Sequence, residues 1–177
     1  MNDPDICVQC GAMHATCCQI SPGREESCFP LSLEERRKLE RCGVFISGPR
    51  FALSSNSKTF LRHLRRLFPQ DALALHRLFP LDASHHRLAL TPRGHCVFLG
   101  ATGCMMRMED RPYYCRLYPF WFIGKRLSGF ASSACLAVQC SPSLTGLCSL
   151  FNTSESALWD LYTRLRVAWG IDHHVEM

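Results

Sequence analysis

The spacing of apolar residues divides the chain into helical and strand-like stretches of unequal clarity. "SLEERRKLERCG", residues 32–43, opens on Ser32 and carries Glu35 three positions on, the pattern of a capping box. Its acidic residues come early and its basic ones late, as the helix dipole favours, and Gly43 suits the terminus. Leu33 and Leu39 give it a modest apolar face. In "SKTFLRHLRRLFPQDALALHRLF", Phe60, Leu61, Leu64, Leu67 and Phe68 recur at helical spacing, and Pro69 breaks the run into two helices. Arg62, Arg65 and Arg66 fall outside that stripe. "NTSESALWDLYTRLRVAWG", residues 152–170, predicts a further helix with Asn152 and Glu155 as its capping box. Its stripe of Leu158, Leu161, Tyr162, Leu165, Ala168 and Trp169 is core packing.

Strand signals are shorter. "HRLALTPRGHCVFLG" reads as two strands around a turn at Pro92–Gly94, and "FWFIGKRLSGFAS" as a hairpin turning near Gly124–Lys125. Met105, Met106 and Met108 fit an alternating strand beside Cys104, which explains them more simply than a soft copper(I) site does. The first 28 residues, broken by Pro22 and Gly23, read as irregular. The predicted class is α+β: a small metal-organised domain with several helices and short β-hairpins. Residues 1–150 would form this domain, with a helical insert at about 30–80, and residues 151–177 a C-terminal helix packed on it.

Composition changes this ordinary picture at one point. There are 12 cysteines among the 177 residues, far more than a core uses as small hydrophobes. Such density implies disulfides or metal. The start, "MNDPDICVQCGAMH", is acidic and broken by Pro4 and Gly11, unlike a secretory signal, and no stretch approaches the roughly 18 apolar residues of a membrane span. The expectation is a cytoplasmic protein with no membrane partner, in which thiols stay reduced and serve metal or redox chemistry. The formal charge of +5 points only weakly to nucleic acid, because each site of four thiolates around a divalent ion would remove about two charges from it.

Cys7 and Cys10 form C-x-x-C, the spacing at which two thiolates of one tight turn grip a single ion, and Gly11 permits the backbone such knuckles use. A thioredoxin-like dithiol would sit between a strand and a helix, and no strand signal precedes Cys7. The vicinal pair Cys17–Cys18 allows two metals to be served, or one thiol to ligate while the other packs, or a rare vicinal disulfide. Farther on, "GHCVFLGATGCMMRMEDRPYYCRLYPFWF" presents Cys96, Cys104 and Cys115.

This order of C-x-x-C, Cys pair, "HCVFLG", "GC", "EDRPYYCRLYPF" and a later cysteine resembles the YkgJ-type cysteine-cluster family, described as a zinc- or iron-chelating domain. The similarity covers residues 7–18, 94–122 and, loosely, 133–140. It implies Cys7, Cys10, Cys17, Cys18, Cys96, Cys104, Cys115 and Cys135 as metal ligands, with Glu109, Arg111 and Pro112 as the signature beside them. Two intervals are longer than the family's usual form: "GAMHAT" between the C-x-x-C and the Cys pair, which offers His14 as a substitute ligand, and the stretch from Cys104 to Cys115.

Eight thiolates suit two four-thiolate sites, or one site with the remaining thiols buried. Arg111 could donate to Glu109, Asp110 or the thiolates, or simply stiffen a turn with Pro112. Tyr113, Tyr114, Phe120, Trp121 and Phe122 would form an apolar shell. Of the remaining cysteines, Cys28, Cys42, Cys140 and Cys148, the second reads as a buried hydrophobe and Cys140 as the best ninth ligand. The pairs His85–His86 and His173–His174 read as exposed.

The function these residues point to is a metal-binding protein holding an iron–sulfur cluster or zinc, in a redox or accessory role. An enzyme is not expected, since Glu109 has no matched His or Asp. The alternative is a zinc-stabilised interaction module whose Arg62, Arg65 and Arg66 face contacts protein or nucleic acid. The lack of interleaved aromatics disfavours nucleic acid.

Overall fold

The computed structural model describes residues 5–13, 17–21 and 23–171. Among these lie eight α-helices and three two-stranded antiparallel sheets, so the α+β class stands. The first correction comes at once. Residues Asp5–Ala12 are helical (α1), where the sequence predicts irregular chain. Nothing between Asp5 and Cys10 breaks a helix, and Ile6 packs against the main core to hold it.

Helix α2, Leu33–Arg41, carries the predicted capping box: the Glu35 amide donates to Ser32 Oγ at 3.2 Å and the Ser32 amide to Glu35 Oε2 at 2.7 Å. Cys42 caps its C-terminus in an extended conformation, and Gly43 does not adopt the left-handed turn expected of it. Leu39 is fully buried but Leu33 is 58% exposed, so the apolar face is a single residue wide. Helices α3, Lys58–Leu67, and α4, Ala72–Leu78, flank Pro69 as predicted. Phe60, Leu61, Leu64 and Phe68 are buried, while Arg62, Arg65 and Arg66 are exposed.

The strand pairing differs from expectation. Phe51–Ser55 (β1), unpredicted, pairs with Ser84–Leu88 (β2), from Phe51 opposite Leu88 to Ser55 opposite Ser84. The turn at Pro92–Gly94 forms, but only the bridge between Leu90 and Cys96 crosses it. The five-residue ladder with β1 takes the place of the local hairpin. This pairing buries His85, which is 5% exposed rather than at the surface. Its Nδ1 lies 2.8 Å from Asn56 Oδ1, its ring stacks on Phe60 at 3.9 Å, and its Nε2 has no hydrogen-bond partner. Burial, with Arg87 and His86 adding to it, pushes its pKa down to about 4. His86 is half-buried, and His173–His174 lie outside the described residues.

Strands Leu99–Gly100 (β3) and Gly103–Cys104 (β4) are only two residues long each. The methionines that follow do not continue β4: Met106 is buried in a bend and Met108 opens a 3-10 turn, Met108–Asp110. After the short helix Tyr113–Leu117 (α5), the predicted hairpin appears as Phe120–Ile123 (β5) and Arg126–Gly129 (β6), with Gly124 at φ 61° in the turn. Two short helices follow, Leu136–Cys140 (α6) and Leu144–Leu150 (α7), then α8, Glu155–Trp169. The α8 cap is Ser154, whose hydroxyl accepts from the Ala157 amide at 3.2 Å, not Asn152. Asn152 is committed to the preceding turn at φ 46°.

Two cores result. The larger gathers Phe60, Phe68, Trp121, Tyr162 and Trp169 between α3, the β5–β6 hairpin and α8. The smaller gathers Leu39, Cys42, Cys96, Phe98 and Met106. A bidentate pair from Arg166 to Asp71, at 2.6 and 2.9 Å, ties α8 to the start of α4. Among the described residues no helix is long and apolar enough to cross a membrane.

Candidate metal centre

The cysteines implied by the family pattern sit on five separate pieces of chain, and specific backbone contacts bring several of those pieces together. On α1, Cys7 and Cys10 are three residues apart, so their side chains share a face. Gly11 has a role the sequence reading missed. A Cβ at this position would stand 2.8 Å from the Gly103 amide nitrogen and 2.9 Å from its Cα. Two glycines therefore let α1 lie directly on β4, one residue before Cys104. The knuckle conformation expected of Gly11 is replaced by this close approach.

Cys17 and Cys18 occupy a turn whose far side docks on the segment around Cys96. The Cys96 amide donates to the Cys18 carbonyl at 2.7 Å, Gln19 bridges His95, and the Ile20 amide donates to the Gly94 carbonyl at 2.8 Å. Cys104 pairs with Leu99 across β3–β4. Cys115 lies in the middle of α5, and Cys135 caps α6 while sealed into the larger core at 8% exposure. His14 lies outside the described residues.

These placements put the thiols within electrostatic reach of one another. Cys17 is hydrogen-bonded to the free Cys18 thiol and feels Cys115 and Cys7; the hydrogen bond and burial come first in pushing its pKa far up. Cys115 is also pushed up, by burial first and then by Cys18, Cys96, Cys104 and Glu35. Cys96, buried, rises to about 12 mainly through desolvation, with Cys18, Cys104 and Cys28 adding to it. Cys10 and Cys135 join through Tyr118, whose hydroxyl feels both along with Cys17 and whose pKa burial pushes up to about 12. Cys17 and Cys115 retain exposed surface although protein crowds them, as at the open side of a site rather than in a core.

A ninth thiol also lies in this neighbourhood. Cys28 acts on both Cys96 and Tyr114, and its neighbour Phe29 stacks on Tyr114, beside Cys115, at 4.1 Å. Cys140 is exposed at the end of α6. No spacing in the sequence signals Cys28. Cys42 is a core residue, as predicted, and its sulfur accepts from Arg50 at 2.9 Å.

The signature residues act on the backbone. Arg111 donates to the Met106 carbonyl at 3.0 and 3.1 Å and to the Cys104 carbonyl at 3.4 Å, tying the loop after β4 to α5. Glu109 and Asp110 pair instead with Arg107, at 3.5 and 2.8 Å. Of the aromatics expected to enclose the site, Phe120, Trp121 and Phe122 are buried in the larger core, and Tyr113 and Tyr114 pack against it.

Among the described residues no group of three or more His, Cys, Asp or Glu side chains is arranged to hold a metal ion. The thiols share one neighbourhood without forming a coordination shell. Their chemistry nonetheless fits the group that the family pattern implies. Thiolates at Cys17, Cys96 and Cys115 would be opposed by burial and by their neighbours, and a cation bound between them would remove that opposition. Thiolates are the common ligands of structural zinc and of iron–sulfur clusters. Compared with known proteins, the chain matches no family model, no curated protein and no solved structure.

Proposed function

We propose that this is a cytoplasmic metal-binding protein of the YkgJ-type cysteine-cluster kind, holding zinc or an iron–sulfur cluster through Cys7, Cys10, Cys17, Cys18, Cys96, Cys104, Cys115 and Cys135. The observation that carries this reading is the gathering of thiols from α1, the 17–18 turn, the 96–104 segment and α5, among which Cys17, Cys96 and Cys115 are pushed up by burial and by neighbouring thiols. Zinc would supply structural cross-linking there, and a cluster would supply one-electron chemistry. The chain's own part is to deliver the sulfurs, to hold the loop around Cys104 through Arg111, and to limit water through the rings of β5.

The test is anaerobic purification followed by a visible spectrum and elemental analysis for iron, zinc and copper on one sample. Brown protein with iron and acid-labile sulfide, or colourless protein with one or two zinc ions per chain, supports the reading and chooses between its forms. Cys7→Ser and Cys115→Ser should lose metal and stability together, while Cys148→Ser, on α7, should do neither. Equal metal content in all three variants would sink the assignment. A second reading, a zinc-stabilised interaction module, is favoured by α3, which exposes Arg62, Arg65 and Arg66 and contains no carboxylate. Salt-dependent binding of an acidic protein or of nucleic acid to that face would support it.

A further inference from the structure

Helix α2 carries none of the proposed ligands, yet three of its side chains grip the loop that presents Cys115. Glu34 accepts from the Tyr113 hydroxyl at 3.0 Å, and Lys38 donates to the Glu109 carbonyl. Between them Glu35 Oε1 accepts the Tyr113 amide at 2.8 Å. The other oxygen, Oε2, accepts the Ser32 amide and hydroxyl, both at 2.7 Å.

Three donors thus converge on a carboxylate that is 5% exposed. The capping box of α2 accounts for the Ser32 bonds only. The third bond serves a different helix. Pro112, the N-cap of α5, has no side-chain acceptor, so the first amide of that helix is satisfied by a carboxylate 78 residues earlier in the chain. Cys115 follows Tyr113 by two residues and feels the Glu35 carboxyl. A cavity of about 10 Å³, the size of one water, lies at this junction, lined by Glu34, Glu35, Lys38, Arg111, Tyr113 and Arg116 among others.

We propose that Glu35 is the positioning residue of the thiol site: by capping α5 from α2, it fixes where Cys115 stands relative to Cys18, Cys96 and Cys104. The inference rests on the metal-binding reading above. Glu35→Gln keeps the volume but turns an amide NH₂ toward one of the two sets of donors, so either Ser32 or Tyr113 loses its acceptor.

Zinc(II) is titrated into the metal-free full-length chain against a chromophoric chelator, for the wild type, Glu35→Gln and Asp71→Asn. The last variant weakens the Arg166 pair between α4 and α8 and controls for lost stability. Glu35→Gln should bind zinc at least about tenfold more weakly, the usual effect of losing a group that orients a ligand, while Asp71→Asn stays close to the wild type. Unchanged affinity in Glu35→Gln, or a loss that Asp71→Asn matches, overturns the positioning role and leaves the metal reading standing. A wild-type chain that takes up neither zinc nor iron overturns both. A second measurement needs no variant. By reciprocity of coupled equilibria, zinc binding should slow hydrogen exchange of the Tyr113 amide at least roughly tenfold, and no slowing overturns the proposal.

Discussion

Around Trp121 the interior is made of rings: Phe68, Tyr162 and Phe29 meet it edge-on at 5.2–5.7 Å, and its own N–H is bonded to the Leu67 carbonyl at 2.8 Å. Around Cys96 it is made of Leu39, Cys42, Phe98 and Met106, within a frame of two-residue strands and, nearby, a five-residue helix. The first region contains long elements whose apolar faces meet, and each buried ring contributes about 1.5–3 kcal/mol. Apart from α2, which supplies Leu39, the second is framed by short elements, and two-stranded ribbons and single-turn helices are marginal in water. Its interior instead holds two buried thiols, Cys42 and Cys96, the latter pushed up by desolvation. The contrast teaches that the aromatic region can support the fold without an ion, whereas the thiol region is where a bound ion would add stability.

The largest effect that separates the two is Trp121→Ala, which should cost about 3–5 kcal/mol whether or not metal is present. Denaturant midpoints measured with and without bound metal check this, and a loss confined to the metal-bound form would erase the distinction. Next comes the His85 pocket, which belongs to the β1–β2 side. Because the folded pKa is depressed from 6.5 to about 4, protons favour the unfolded chain between those values. The stability it contributes is therefore complete above about pH 6.5 and is lost as pH falls through 4, to a total of up to about 3 kcal/mol. Unfolding curves of the metal-free wild type and His85→Gln at pH 7 and pH 4 should diverge by that amount, and parallel profiles would show that the buried imidazole is not responsible.

The smallest effect is the most discriminating for the thiol region. A glycine-to-alanine change in a helix gains up to about 1 kcal/mol by itself. At Gly11 the added methyl meets the Gly103 backbone at 2.8 Å, so Gly11→Ala should instead lose roughly 1–3 kcal/mol and weaken zinc binding as α1 lifts from β4. A stabilised variant with unchanged affinity would break the α1–β4 approach.

What could be read in the sequence follows the same division. The helices of the aromatic region announce themselves because a stripe such as Phe60, Leu61, Leu64 and Phe68 is long enough to show its period. The hairpin at Gly124 was legible for a similar reason: its turn and both strands are contiguous. By contrast β1 was missed, since "FALSS" alternates weakly and its paired residues lie 29 to 37 positions away. In the thiol region the ligand candidates were visible as letters and spacings. What assembles them was not. The Gly11–Gly103 approach, the bond from Cys96 to Cys18, the Glu35 cap on Tyr113 and the place of Cys28 are all long-range, and no local period records them.

The seating of α1 on Gly103 also has a temporal side. About ninety residues separate the two glycines, and at 5–20 residues per second a ribosome needs roughly 5–20 s to make them. During that interval the nascent chain presents Cys7 and Cys10 on a segment whose resting place does not yet exist, and Cys135 is later still. The order of synthesis thus leaves the earliest thiols exposed longest, until the last segment arrives.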